Sequence, residues 1–389
     1  MKKKIIISII CFVILLACWF GWYFLFHNKN SDYTINLWDS WNDTEGVYNT
    51  SWESDWNLHI LTSIDDEVVG DSMWCWTFQL VWNDMVNEVV KQDVVFTPQP
   101  TIVENLNKQT FSKKYLSPNS YYAKFWLLTL DLKEEIEKWI KKKFNETSDI
   151  LDQWADWSTV PQSDDYYDWK PAKKYLFYTI LKKIFKFKNV FDQLDNWKFG
   201  DKYDDIKYFW IKWSSDTKLY KQVYVYYYNS KSDFAVALKT KEWEDVILAR
   251  WIWWSSFISI YRNIIENAKK YAWNHNFTKN DYLKVPELNF KSLTEFYELE
   301  DKDFFAKDWA PYRIFKALQS IELKLDEKWW EIKSEALIIM GTNSAPIKPV
   351  DIEHRYFNFD QPYVIMLKES NKDLPYFAAQ ISDITLFQK

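Results

Sequence analysis

Glycine is nearly missing from this chain, and tryptophan stands in many of the places where glycine belongs. Five glycines occur in 389 residues, against 25 tryptophans, whereas glycine ordinarily makes up about 7% of a protein. Few residues are then free to take positive φ, which tight turns require and bulky side chains resist. Several polar, turn-like stretches nevertheless hold a tryptophan: Asn196-Trp197-Lys198, Glu242-Trp243-Glu244 and Asp308-Trp309-Ala310, along with the doublets Trp253-Trp254 and Trp329-Trp330. This pattern arises when a codon that its organism reads as glycine, such as UGA in a variant code, is written as tryptophan. The summed count of 30 suits glycine plus a few true tryptophans. The alternative is a surface rich in exposed rings for carbohydrate or aromatic ligands.

The start of the chain sets its location. Lys2, Lys3 and Lys4 precede an uncharged, mostly apolar run from Ile5 to Phe26, and at about 1.5 Å per helical residue some twenty residues span a bilayer core. The basic flank predicts a cytoplasmic N-terminus with the rest outside. Three readings share that outcome: an uncleaved single-pass anchor over residues 1–28, a lipoprotein signal in which Leu15-Leu16-Ala17-Cys18 is a lipobox and Cys18 is lipidated, and a plain cleaved signal. The apolar residues Phe20, Tyr23, Phe24, Leu25 and Phe26 continue past Cys18, as an anchor requires.

Whole function classes drop out on composition. The net charge is −6, and removing the three leading lysines leaves −9 for the remainder, which does not attract nucleic acid. Cys75 is the only cysteine outside the apolar run, so neither an internal disulfide nor a cysteine zinc site is expected there. His27, His59, His275 and His354 form no helix- or strand-spaced pair, so no metal centre and no cofactor are expected. There is no G-x-S-x-G, no H-E-x-x-H and no histidine close to Cys75 in sequence, so a hydrolase is not expected.

Residues 29–70 are polar and read as a stalk or lead-in, and 71–389 as one large domain without a Gly/Ser or Pro linker. The spacing of Phe78, Val81, Trp82, Met85, Val86, Val89 and Val90 predicts an amphipathic helix. Val94-Val95-Phe96 reads as a short strand stopped by Pro98 and Pro100. Further helices are predicted at Leu132–Phe144, Lys173–Lys183 and Ser256–Tyr271. Strands are predicted at Leu219–Tyr228, Phe234–Leu238, Tyr282–Phe290, about 320–326 and Tyr363–Leu367. Helices early and long strands late give an α+β fold.

The C-terminal stretch resembles the terminal segment of the serpin family. Phe357-Asn358-Phe359-Asp360-Gln361-Pro362-Tyr363, the apolar Val364-Ile365-Met366-Leu367, and then Tyr376-Phe377-Ala378-Ala379-Gln380-Ile381 match that family's strand, turn and closing strand. Ala379 stands for its usual glycine and Gln380 for its basic residue. Tyr282–Phe290 is similar to the serpin strand built around a proline, Ile321–Glu335, with Leu325–Glu331 within it, to the run leading into the reactive loop, and Phe78–Glu88 with Val95–Ile102 to the family's first helix and early Ser-Pro motif. Residues 108 to about 185 carry no motif of the family.

The resemblance implies helices around large, mostly antiparallel β-sheets, with an exposed reactive loop between about Glu327 and Tyr356. It implies an inhibitor, not an enzyme. A target protease of serine or cysteine type acylates at the loop, which then inserts as a strand and distorts the trapped protease. The implied hinge is Glu327, Trp329, Trp330, Glu331, Ile332, Ser334 and Ala336, and the implied scissile bond is Asn343–Ser344, with Met340 and Lys348 as alternatives. Ile332, Ser334, Ala336 and Ile338 fall on one strand face, as insertion needs, and as an ordinary permanent strand would also show. Trp329 and Trp330 occupy the place of Gly-Thr, where indoles would overpack a sheet; Ile332, Lys333 and Glu335 replace an alanine-rich run. The other reading is a non-inhibitory cell-surface binding protein on the same scaffold.

Overall fold

Strand is the commonest regular structure among the described residues, and several strands, such as Tyr363–Glu369, are buried along their whole length, as strands covered on both faces are. The computed structural model describes residues 49–50 and 58–388, apart from 109–110, 118–120, 146–149, 154–156, 164–173, 214, 251–255, 272–274 and 328–353. The compact unit is Tyr48–Lys389. The apolar run 5–26 lies outside the described residues, and among those described no helix is long and apolar enough to cross a membrane.

The first sheet runs, edge to edge, β1 (Asn49–Thr50), β12 (Leu288–Glu295), β14 (Pro311–Leu325), β5 (Lys174–Ile184) and β4 (Tyr121–Leu127), with β13 (Asp303–Phe305) on the start of β14. The second runs β2 (Leu58–Leu61), β3 (Asp71–Cys75), β17 (Phe377–Ile381), β16 (Tyr363–Glu369), β10 (Glu244–Arg250), β9 (Asp233–Lys239) and β8 (Val223–Ser230). The third is β15 (Tyr356–Asn358), β11 (Tyr282–Pro286), β7 (Tyr203–Ile211) and β6 (Asp192–Phe199). Most joints are antiparallel, the parallel ones being β1–β12, β2–β3, β11–β15 and β5–β14.

Helices pack around these sheets. They are α1 (Thr77–Asp84), continued by a wider turn over Met85–Val90, α2 (Thr101–Asn107), α3 (Leu130–Phe144), the single-turn α4 (Thr217–Tyr220) and α5 (Phe257–Lys270). Thr129 caps α3 by accepting from the Leu132 amide and Ser256 caps α5 by accepting from the Ser259 amide, which satisfies donors that a helix start leaves open. Lys141, Lys142 and Lys143 end α3, and Lys269 and Lys270 end α5, where positive charge offsets the helix dipole. The fold is α+β with large, mostly antiparallel sheets, as expected.

The C-terminal motif explains itself in the core. Phe357 and Phe359, one strand period apart, both bury their rings against Phe234 on β9, at 5.4 and 5.2 Å between centroids. Asp360 turns outward between them and Tyr363 to meet Lys284 Nζ at 2.8 Å.

Several local expectations fail for identifiable reasons. Lys173–Lys183 forms no helix; Lys174–Ile184 is β5, a central strand buried on both faces, so its period-two signal is erased by continuous apolarity. Val94-Val95-Phe96 joins no sheet, because side chains take its backbone groups: Asn107 Nδ2 donates to the Val94 carbonyl at 2.8 Å and the Phe96 amide donates to Gln99 at 2.6 Å. Leu219 and Tyr220 belong to α4, so that strand starts at Val223. Tyr282–Phe290 splits at Glu287 into β11 and β12 in different sheets. Within the polar lead-in, Leu58–Leu61 pairs with β3, and Ile64 and Val68 enter the core, because these few apolar residues fall at positions that a sheet edge can cover.

Two of the turn tryptophans take the conformation that glycine favours. Trp243, in the β9–β10 turn, has φ 63°, and Trp309, in the β13–β14 turn, has φ 65°, with side chains 78% and 81% exposed. The described glycines, Gly70 and Gly200, have φ 59° and 61°. Trp197 differs: it lies in β6 at an irregularity in the β6–β7 register. Trp253, Trp254, Trp329 and Trp330 lie outside the described residues.

Candidate functional site

β14 is the strand that leads into the expected loop, and its neighbour β5 runs parallel to it. Their register extends from Arg313 opposite Lys174 to Lys324 opposite Ile184, with one irregularity between Ile314 and Lys316. On the outer sides, β12 pairs antiparallel with β14, and β4 antiparallel with β5. The sheet therefore has a parallel joint between two interior strands, and parallel pairing is slightly weaker per residue. Both strands end, in the C-terminal sense, at the edge from which residues 328–353 depart.

A buried polar cluster fastens this joint from behind. Thr179 on β5 and Gln319 on β14 are direct partners in the register. Thr77, first residue of α1, donates its hydroxyl to Thr179 Oγ1 at 3.3 Å and accepts from Gln319 Nε2 at 3.2 Å. Gln319 Nε2 also reaches the Cys75 carbonyl at 3.3 Å, and Cys75 Sγ lies 3.3 Å from the Thr77 hydroxyl. Thr77 and Thr179 are fully buried, and Gln319 is 1% exposed. Burial pushes the Cys75 thiol up to about 11, so it is neutral and serves here as a hydrogen-bonding group, not a nucleophile. Polar groups out of contact with water are costly unless paired, so the cluster favours the closed joint.

Apolar layers cover both faces. Behind, Phe78 of α1 packs on Phe177 of β5 at 4.5 Å between centroids, within a cluster that includes Ala317 of β14. In front, α3 lays Leu132, Ile136 and Ile140 across Leu176 and Tyr178 of β5 and Leu318 of β14. The alternation puts Phe177 and Thr179 on one face and Leu176 and Tyr178 on the other.

The described residues on either side of 328–353 are firmly placed. Before it, Glu327 is 6% exposed and its carbonyl accepts from the Phe191 amide at 3.3 Å. After it, Arg355 is clamped by Asp281 at 2.6 Å, by the Asn276 carbonyl at 2.8 Å and by the Tyr271 hydroxyl at 3.1 Å, just before β15. Of the expected hinge residues only Glu327 falls within the described chain; Trp329, Trp330, Glu331, Ile332, Ser334, Ala336, Asn343 and Ser344 lie outside it.

Thr77, Thr179 and Gln319 were not singled out from the sequence. Gln319-Ser320 interrupts the otherwise apolar run from Ala317 to Ile321, and that interruption is the signal that a buried polar contact was needed. Among the described residues no group of His, Cys, Asp and Glu could hold a metal ion. His275 Nδ1 contacts the Val225 carbonyl at 2.7 Å and its ring stacks on Tyr224, a structural placement.

No protein-family model matches the chain, and no curated protein matches it in sequence. Among solved structures it is similar to a serpin of the insect Tenebrio molitor, at 10% identity over 81% of this chain and 92% of that one, with a TM-score of 0.42. It is likewise similar to a serpin of Manduca sexta, at 11% identity over 83% and 95%, TM-score 0.45. Uncleaved ovalbumin matches at 10% identity over 80% and 93%, TM-score 0.43.

Proposed function

We propose that the chain is an extracytoplasmic serpin-like protease inhibitor, held at the cell membrane by its N-terminal segment, and that it acts by loop cleavage, covalent trapping and loop insertion. The observation that carries this reading is the parallel β5–β14 joint, with the chain continuing from the open end of β14. A segment folding back from Glu327 between those strands runs antiparallel to both, so one parallel joint is exchanged for two antiparallel ones. Residues 328–353 outnumber those of β14, which is enough for a full-length return strand.

The covalent step requires nothing from this chain but an accessible peptide bond. The serine or cysteine nucleophile of the target protease adds to the Asn343 carbonyl. The bond to the Ser344 nitrogen breaks, the departing amine takes a proton from the protease's general acid, and an acyl ester or thioester links Asn343 to the protease. Insertion then competes with hydrolysis of that link. On this reading the chain is not itself an enzyme, and it needs no cofactor.

A panel of serine and cysteine proteases tests the reading. An inhibitor gives a covalent complex stable in denaturing gels, and cleavage within Gly341–Lys348 raises its melting temperature because the added strand releases stored strain. A nicked surface loop leaves melting equal or lower, and that result with no complex establishes the non-inhibitory binding protein. Trp329 and Trp330 favour that second reading if both positions truly hold indoles, since two such rings cannot enter between packed strands without overpacking.

A further inference from the structure

A second cluster of charge sits where β14 ends. The β12–β14 register pairs Leu288 with Leu325, which brings Glu287, just before β12, beside Asp326 and Glu327, just after β14. The carboxyl groups of Glu287 and Glu327 are within hydrogen-bonding reach of one another, and Glu287 Oε1 is buried with no hydrogen-bond partner. Glu287 is fixed from behind, its amide donating to the Lys207 carbonyl at 2.9 Å and its own carbonyl accepting from Gln388 Nε2 at 2.8 Å. The charged groups facing it are Glu327, Asp326 and Lys207, and Asp326 has Lys324 at 3.5 Å.

We propose that Glu287 is a proton-dependent latch on the end of β14, closed while its carboxyl keeps a proton beside the Glu327 carboxyl and loosened when that proton is lost. Two like charges at such range cannot both ionise without cost. Burial first, and then the neighbouring Glu327 carboxyl, push Glu287 up to about 7. A carboxyl raised on folding stabilises its surroundings while protonated, and that contribution is lost as pH rises from the ordinary carboxylate range to about 7. The latch sits where the return strand of the proposed mechanism would enter. As a control on loop entry it rests on the inhibitor reading, and it makes trapping more efficient on the alkaline side.

The test is amide exchange in the full chain at the Phe191 amide, which donates to the Glu327 carbonyl, corrected for intrinsic exchange. Local opening is expected to increase about tenfold between about pH 5 and about pH 8 in the parent, to be flat in Glu287→Gln, and to be shallower than the parent in Glu327→Gln, where burial alone still raises Glu287. The amide of Gly200, bonded to the Asp360 carbonyl at 2.7 Å, is the remote control. Glu300, also raised to about 7 by burial, contributes its own pH dependence to global melting, and comparison with the glutamine variants removes it. A flat parent profile, or an equal slope in parent and both variants, overturns the latch. A latch response without any rise in melting on loop cleavage supports the latch and removes the inhibitor reading.

Discussion

Thr179 and Gln319 stand opposite one another across the parallel β5–β14 joint, and both hydrogen-bond to the hydroxyl of Thr77 on the helix behind it. The contact therefore spans three elements, and parting the two strands strands buried polar groups on each.

Removing the shared hydroxyl should loosen the joint. Thr77→Val keeps the shape but leaves the Thr179 hydroxyl and the Gln319 amide short of a partner, a cost of about 1–3 kcal/mol. Urea melts should show that loss, and amide exchange along β5 and β14 should quicken. An unchanged midpoint together with unchanged exchange would mean that the cluster does not hold the strands together.

The front cover makes a separate contribution. Ile136 of α3 is fully buried in the cluster with Tyr178 and Leu318, and Ile136→Ala should cost about 2–4 kcal/mol through lost burial and the cavity left behind. Denaturant midpoints measure this; a cost near zero would show that α3 rests on the sheet without being packed into it.

The entry to β15 depends on a charge pair. Asp281 is 2% exposed and holds Arg355 bidentately, at 2.8 and 2.6 Å. Asp281→Asn leaves a partly buried guanidinium without its counterion and should destabilise the chain by about 2–4 kcal/mol, with β15 the first strand to lose exchange protection. Uniform loss of protection across the third sheet would place the effect elsewhere.

Trp243→Gly and Trp309→Gly should each stabilise the protein by about 1 kcal/mol, since both positions have left-handed backbone that an indole tolerates poorly. Their rings are mostly exposed, so little packing is lost. Peptide mass analysis of the protein from its own source is the direct check on decoding: glycine at these positions supports the recoded codon, and tryptophan there, or UGG codons in the gene, eliminates it.

Ser334 and Lys333 separate insertion from mere cleavage. On the proposed mechanism Ser334 faces inward after insertion and Lys333 outward. Ser334→Arg should leave the uncleaved protein unchanged yet bury an unpaired charge on insertion, at about 3–5 kcal/mol, so that the loop is cut and no covalent complex accumulates. Lys333→Arg should behave as the parent. Equal trapping by both variants would reverse the facing assigned to the segment.

What the sequence alone determined is what short-range periodicity can encode. The amphipathic spacing of α1, α3 and α5, the alternation in β14 and the Phe357–Tyr363 motif each fix local geometry through neighbours a few residues apart, and each was legible for that reason. Tertiary structure decided the rest. Lys174–Ile184 became a strand because a central position buries both faces and hides its period. The Tyr282–Phe290 run divided between two sheets because partners far along the chain claimed its halves. Thr77 meets Gln319, and Glu287 meets Glu327, only through sheet register, a long-range relation that no local pattern of residues can specify.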